Sequence, residues 1–398
     1  MPRTDFGFGC VDYTSSCGLR GSWITTTAQP RTVRLWNSGT EWSFLSTGPG
    51  SYDWTNLDIW LDLIAANQPR GAMYTFGQTP CWLSPVQCTG NGWGVGNNWS
   101  ASAPRDLTSG GSPSFTAFVT ALVAHCSPAG NCVKDYIKYW EMWNEANLPN
   151  RWAGTAAQLY QMFAPVIPII RSNVPGAKIS TPPVCGGDTA WMASWMQLEN
   201  SQGRLSDYYG IHVYLKANPP LTPETRIKMV KSMIATKNAN GWTTTPWMNT
   251  ETNFDPLTFT CSTQFTLEDC EGQLVRWHVL QYAYQGGGGG ALHVNWFNWE
   301  NTIGSYDTFY YTMMTWLRWA NFTSSCSNSG NVWTCPLTER DGKTALIVWN
   351  AAGNSTYVPA SQYVDYKSFN GTYGGSIVSI SPGHSTTIGV IPIMFESN

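Results

Sequence analysis

The chain has 398 residues, enough for a barrel of about 250 residues plus a small extra domain, with a core that needs no metal to hold it. Charged residues are only 12% of it and the net charge is −3, with no basic block, so nucleic acid is not an expected partner. No apolar stretch approaches the roughly 20 residues that span a bilayer, so no membrane contact is expected either.

In chain order, β-rich runs fall at 6–11, 32–36, 72–76, 137–143, 178–181, 209–214, 246–250 and 292–297. Helical periodicity lies between most of them, at 56–66, 113–125, 155–171, 223–237, 267–284 and 307–320. The helix at 113 starts with Ser-Pro, and that at 267–284 is stopped by five glycines, 286–290. Eight strands alternating with helices predict an α/β fold, a (β/α)8 TIM barrel over residues 1–325. A doubly wound open sheet is the runner-up. It needs a Gly-rich phosphate turn after its first strand, and Gly7-Phe8-Gly9 lacks the third glycine.

After about residue 325 no helix intervenes. Runs at 332–335, 346–349, 356–359, 363–369, 376–380 and 386–393 are separated by Gly, Asn, Asp and Ser turns. They predict a small C-terminal antiparallel β-sandwich over 326–398. Asp341-Gly342-Lys343-Thr344 reads as a hairpin turn rather than a phosphate loop, because Leu337 stands where that loop needs a glycine.

Ten of the 11 cysteines form close sequential pairs: Cys10 and Cys17, Cys81 and Cys88, Cys126 and Cys132, Cys261 and Cys270, Cys326 and Cys335. Cys185 is left over. Metal sites favour Cys-x-x-Cys or Cys/His clusters, which are missing, so local disulfides and an oxidising, secreted location are expected. No charged start followed by an apolar run is visible, so the expected leader is absent from this sequence. Four Asn-x-Ser/Thr sequons, at Asn98, Asn321, Asn354 and Asn370, are compatible with secretion. Trp is the outlier, at 22 residues. Its flat apolar face stacks on sugar rings while its N–H bonds a hydroxyl, so the composition suits a carbohydrate-active protein.

In such a barrel, chemistry sits where strands end. Glu145, in Trp143-Asn144-Glu145-Ala146, ends the fourth strand, and Glu251, in Asn249-Thr250-Glu251-Thr252, ends the seventh. Those strands face each other across the barrel mouth. Glycoside cleavage with retention needs one carboxylate to attack the anomeric carbon and another to protonate the leaving oxygen. Glu251 is the candidate nucleophile and Glu145 the candidate acid/base.

The run Trp140-Glu141-Met142-Trp143-Asn144-Glu145-Ala146-Asn147 resembles the Asn-Glu-Pro motif of clan A glycoside hydrolases, with Ala146 in place of proline. It is most similar to glycoside hydrolase family 39 and its relatives, β-xylosidases and endo-acting exopolysaccharide hydrolases. The resemblance implies a retaining β-glycosidase acting on an oligo- or polysaccharide, without a cofactor or metal. It implies that Arg34 lies beside the nucleophile and that Asn144 bonds the sugar 2-hydroxyl. It also implies that His212 lines the acid/base side and that Tyr214 orients the nucleophile. Trp299 matches the tryptophan beneath the sugar, with Trp296 as the alternative register. Gln78, Trp82 and Trp36 are candidate sugar contacts, with core packing an equal reading for the two tryptophans. Glu141 is read as an interior ion-pair partner. The rival functions are a non-catalytic carbohydrate-binding barrel, which would lack one carboxylate, and a metal-dependent hydrolase, which would carry His/Asp clusters at strand ends.

Overall fold

The computed structural model describes residues 5–9, 32–67, 71–86, 88, 99–217, 220–255, 266–297, 307–369 and 375–398. Its centre is eight strands: β1 Asp5–Gly9, β2 Thr32–Leu35, β3 Gly71–Thr75, β4 Ile137–Glu141, β5 Lys178–Ser180, β6 Tyr209–His212, β7 Trp247–Thr252 and β8 His293–Phe297. All their pairings are parallel, in the order β6-β7-β8-β1-β2-β3-β4-β5. The edge strands β5 and β6 also meet. Ser180 bridges Tyr208 in parallel, and Ile179 O accepts from Asp207 N and Tyr208 N at 2.8 and 3.0 Å. Each strand therefore lies next to its neighbour in sequence.

These strands are apolar with isolated polar residues because both faces are covered. In β2 the whole run Thr-Val-Arg-Leu is buried. Val33 and Leu35 turn outward into the layer shared with the helices, while Arg34 turns inward.

Helices follow most strands: α1 Thr55–Asn67, α2 Pro113–Ala124, α3 Ala156–Phe163, α4 Val166–Asn173, α5 Thr189–Gln202, α6 Pro223–Ala239, α7 Leu267–Ala283 and α8 Asp307–Leu317. The run at 155–171, expected as one helix, is two. Pro165 has no N–H to continue α3, and α4 begins directly after it. Helix α5 was not expected. Its signal was Asp188, whose carboxylate accepts from Trp191 N at 3.0 Å as an N-cap.

The C-terminal strands β9 Val332–Thr338, β10 Thr344–Asn350, β11 Tyr363–Ser368, β12 Ser376–Ser379 and β13 Ile393–Ser397 form an antiparallel sheet. It begins before residue 326, since Asn321–Phe322 pairs with β9. The expected hairpin joins β9 to β10, with Gly342 at φ 90°. The sandwich fits only loosely. One face of the sheet sends Leu337, Ile347, Trp349 and Met394 into the same core as Trp277 and Leu317 of the helical layer. Among the described residues the other face is covered by a two-stranded ribbon, Ser355–Tyr357 with Thr386–Ile388, over Val348, Tyr363 and Phe395. A face already buried against helices has no need of a second full sheet.

The disulfides Cys81–Cys88, Cys126–Cys132 and Cys326–Cys335 are formed. Cys270 is also disulfide-bonded and buried. Cys10, Cys17 and Cys261 lie outside the described residues. No described helix is long and apolar enough to cross a membrane.

Gly272 of α7 packs directly against the chain that leads into β13. A Cβ there would sit 2.5 Å from the backbone oxygen of Val390. Ala has the higher helix propensity by about 1 kcal/mol. Gly272→Ala should nonetheless lower stability by about 1–3 kcal/mol through overpacking, as read by the thermal or urea midpoint.

Candidate active site

Arg34 occupies the middle of the site. It is fully buried, and its guanidinium is shared among three strand ends. Nε and Nη2 donate to Glu141 Oε2 at 2.9 and 2.5 Å, Nη1 donates to Glu251 Oε2 at 2.6 Å, and Nη2 donates to Asn144 Oδ1 at 2.6 Å. Burial alone would lower its pKa, but the charges of Glu141 and Glu251 outweigh it and raise it. Thr75 Oγ1 donates to Glu141 Oε2 at 2.9 Å, so Glu141 belongs to the interior rather than to the cavity.

Glu251 owes its direction to an irregularity in β7. Register shifts between Asn249 and Thr252. Asn249 and Thr252 turn outward, to Gln281 and Trp277 of α7. Thr250 and Glu251 both turn inward, Thr250 to His212 and Glu251 to Arg34. Strict alternation would have put one of the two on the helix side. The other oxygen of Glu251, Oε1, accepts a short hydrogen bond from the Tyr214 hydroxyl. Burial, with the charges of Glu251 and Glu145, holds that phenol well above its ordinary pKa, so it stays a donor.

Glu145 sits in the opposite kind of environment. Burial raises its pKa above the usual carboxylate range, while the Arg151 and Arg34 charges and the Cys185 thiol pull the other way. Arg151 Nε is 4.0 Å from Oε2. His212 Nδ1 lies 3.0 Å from Oε1, and its Nε2 lies 3.1 Å from Thr250 Oγ1 and 3.5 Å from Arg34 Nη2. Arg34 can only donate, so Nε2 is the acceptor and Nδ1–H donates to Glu145. Burial pushes the imidazole down to about 4 from 6.5.

The turn that presents Glu145 is strained. Trp143 and Glu145 have φ of 74° and 47°, in the left-handed region that bulky residues avoid. Packing holds them there. Trp143 Nε1 donates to Arg151 O at 3.0 Å, and its ring meets Trp152 edge-on at 5.0 Å.

A cavity of about 350 Å³ opens over these groups. Of the residues expected from sequence, Trp36, Asn144, Glu145, His212, Tyr214 and Glu251 line it. Asn144 gives its oxygen to Arg34, which leaves its NH2 for a ligand. Trp36 is fixed by Gly77, where a Cβ would lie 2.3 Å from the indole ring. Gln78 and Trp82 do not line the cavity. Gln78 accepts from Ser43 Oγ at 3.1 Å, and Trp82 donates to Ser46 O at 3.2 Å. Trp296 points away from it, stacked on His278 of α7 at 5.7 Å. Its neighbour Phe297 faces the cavity instead, as the period of two requires. Trp299 lies outside the described residues. Sequence reasoning missed Arg151, Phe297 and the place of Cys185, which also lines the cavity. Cys185 carried one signal, as the cysteine left over from the sequential pairs.

Glu145, His212 and Glu251 each offer one ligand atom, all within 4.8 Å of one another. The Arg34 cation, 2.6 Å from Glu251, disfavours a metal ion there by like-charge repulsion. What the arrangement offers is two buried carboxylates close together, one held by a cation and a phenol and the other with its pKa raised by burial.

A direct check is the His212 ring. Its NMR titration midpoint is expected near pH 4, with the neutral ring persisting from pH 5 to 8. A midpoint near 6.5 would mean that the ring is not sealed by its neighbours.

No family model matches the sequence, and no curated protein matches it. Solved structures do. A glycoside hydrolase family 30 subfamily 8 xylanase from Clostridium acetobutylicum is 12% identical, over 100% of this chain and 96% of that one, with a TM-score of 0.63. A monomeric β-xylosidase from Caulobacter crescentus is 16% identical, over 99% and 95%, with a TM-score of 0.61. The catalytic domain of a family 30 xylanase C from Talaromyces cellulolyticus is 13% identical, over 100% and 97%, with a TM-score of 0.59. These comparisons do not reach the particular family 39; what they show is the fold, which this chain shares with these clan A glycoside hydrolases.

Proposed function

We propose that the chain is a secreted retaining β-glycosidase built on a (β/α)8 barrel, with Glu251 as nucleophile and Glu145 as acid/base, acting on an oligo- or polysaccharide. The observation that carries this is the pair of carboxylates, with an oxygen of each within 4.8 Å of the other. Retaining enzymes hold their carboxyl groups about 5–5.5 Å apart, whereas inverting ones leave about 6.5–9.5 Å for a water.

In the first step Glu251 attacks the anomeric carbon as Glu145 passes its proton to the departing glycosidic oxygen. A glycosyl ester on Glu251 forms and the aglycone leaves as an alcohol. In the second step Glu145, now ionised, takes a proton from water. That water attacks the same carbon and releases Glu251. Two inversions give net retention.

Arg34 and Tyr214 each donate to one oxygen of Glu251 and hold it aimed in the resting state. His212, donating to Oε1 of Glu145, leaves Oε2 as the oxygen that carries the transferable proton. No step calls for a metal or an organic cofactor. A sugar-binding barrel without catalysis would have no use for this division between two close carboxylates. Xylosidase-like and endo-acting modes both fit the site. The disulfides and the charge-poor, Trp-rich composition support an extracellular setting.

Glu251→Gln should remove nearly all turnover, and Glu251→Ala with azide should yield a glycosyl azide of inverted configuration. Glu145→Gln should slow substrates with poor leaving groups by about 10²–10⁴. For activated aryl glycosides, whose departure needs no proton, it should spare kcat/KM but lower kcat, because the glycosyl-enzyme then lacks the base that activates water, and it should abolish the basic limb of the pH–rate profile. Early products followed by NMR should keep the anomeric configuration. Inverted products, or turnover by Glu251→Gln close to that of the parent, would sink the assignment.

A further inference from the structure

We propose a second carbohydrate-binding site, separate from the catalytic cavity, in the open groove between α3 and α5, with Trp191 as its stacking platform and a neutral β-linked polysaccharide chain as its ligand. The proposal rests on the glycosidase reading for its choice of ligand and on the groove itself for its place.

The groove has a volume of about 580 Å³. Its lining includes Trp191, Thr155, Ser194, Gln197, Leu198 and Ser201, and no charged residue. One aromatic face among short hydroxyl and amide side chains is the chemistry that a sugar needs. The ring stacks through its C–H face, and its hydroxyls find both donors and acceptors without desolvating a charge. Trp191 is half-buried, and its indole N–H makes no hydrogen bond among the described residues.

The platform is pre-set. Asp188 caps the first turn of α5 through Trp191 N at 3.0 Å. The Trp191 ring stacks on Trp195 at 5.9 Å with a 5° interplanar angle. Trp195 is buried, and its Nε1 donates to the buried Glu199 Oε1 at 2.7 Å. A ring held in this way loses little conformational freedom when a ligand arrives.

The groove is also joined to the catalytic site. Gly154 and Thr155, on its α3 side, end the loop whose Arg151 reaches Glu145. Trp152 closes that loop through Nε1 to Thr155 O at 3.0 Å, and a Cβ at Gly154 would lie 2.8 Å from the Trp152 ring. A polymer held in the groove is therefore held beside the loop that carries the acid/base, and the site would raise the local concentration of a long substrate and do nothing for a short one.

The test uses affinity electrophoresis through gels containing soluble arabinoxylan, mixed-linkage β-glucan or β-1,6-glucan, with the full chain carrying Glu251→Gln so that nothing is consumed. Adding Trp191→Ala is expected to raise the Kd for the retarding polymer roughly five- to tenfold, while Trp191→Phe largely restores it. Ser194→Arg, at an exposed position that leaves the platform intact, should obstruct the groove and weaken retardation to a similar degree. In the otherwise unmodified enzyme, Trp191→Ala should leave kcat/KM on a short aryl glycoside unchanged and reduce it on the polymer. Equal retardation of parent and both groove variants would overturn the proposal. So would a parent that hydrolyses a polymer but is retarded by none of the three. A wild-type chain that hydrolyses neither aryl glycosides nor polymers would instead remove the glycosidase reading, an outcome that the hydrolysis assay reports independently of the gels.

Discussion

A single guanidinium sits where three strand ends converge, and the site is organised around it. Arg34 is sealed from water between the carboxylates of Glu141 and Glu251. A buried cation without partners would cost several kcal/mol, and so would either carboxylate left alone. Each therefore demands the others, and that demand fixes where β2, β4 and β7 stand relative to one another. Two carboxylates share one cation, which leaves them room for further donors. The Tyr214 and Thr75 hydroxyls fill it by donating to Glu251 and Glu141. The group that holds the interior together is thus also the one that fixes the Glu251 carboxylate at its edge.

The two catalytic candidates differ through their surroundings rather than their chemistry. Glu251 is tied to charge and hydroxyl donors. Glu145 lies among buried groups, with a neutral histidine at one oxygen and the Arg151 guanidinium no nearer than 4.0 Å to the other. The left-handed backbone at Trp143 and Glu145 carries a conformational cost that the Trp143–Trp152 contact and the bond to Arg151 O offset. The same loop runs on to Gly154 and Thr155, which line the groove beside Trp191.

The C-terminal sheet belongs to this economy of packing. Its inner face continues the core of the helical layer, and Trp349 Nε1 donates at 2.8 Å to Glu224, which also pairs with Arg276 at 3.0 Å. It works as a buttress on α6 and α7, the helices that flank β7 and so steady the strand bearing Glu251.

By itself, the sequence determined the eight strands, most of the helices, and the placing of two carboxylates at strand ends with Arg34, Asn144, His212 and Tyr214 around them. These are local signals. Apolar runs of strand length, Gly and Pro punctuation, and a lone arginine in an apolar strand each have one sensible placement. Tertiary structure alone decided the rest. Whether Trp296 or Phe297 faces the cavity depends on strand parity, which pairing sets. That Thr250 and Glu251 both point inward depends on a register shift forced by strands on either side of β7. Arg151, Cys185 and the groove at Trp191 are brought together by loops and helix packing, across distances in sequence over which no periodicity acts. The second layer expected over the C-terminal sheet shrank to a ribbon for the same reason: which face of an amphipathic sheet is buried, and against what, is a property of the neighbour and not of the strand.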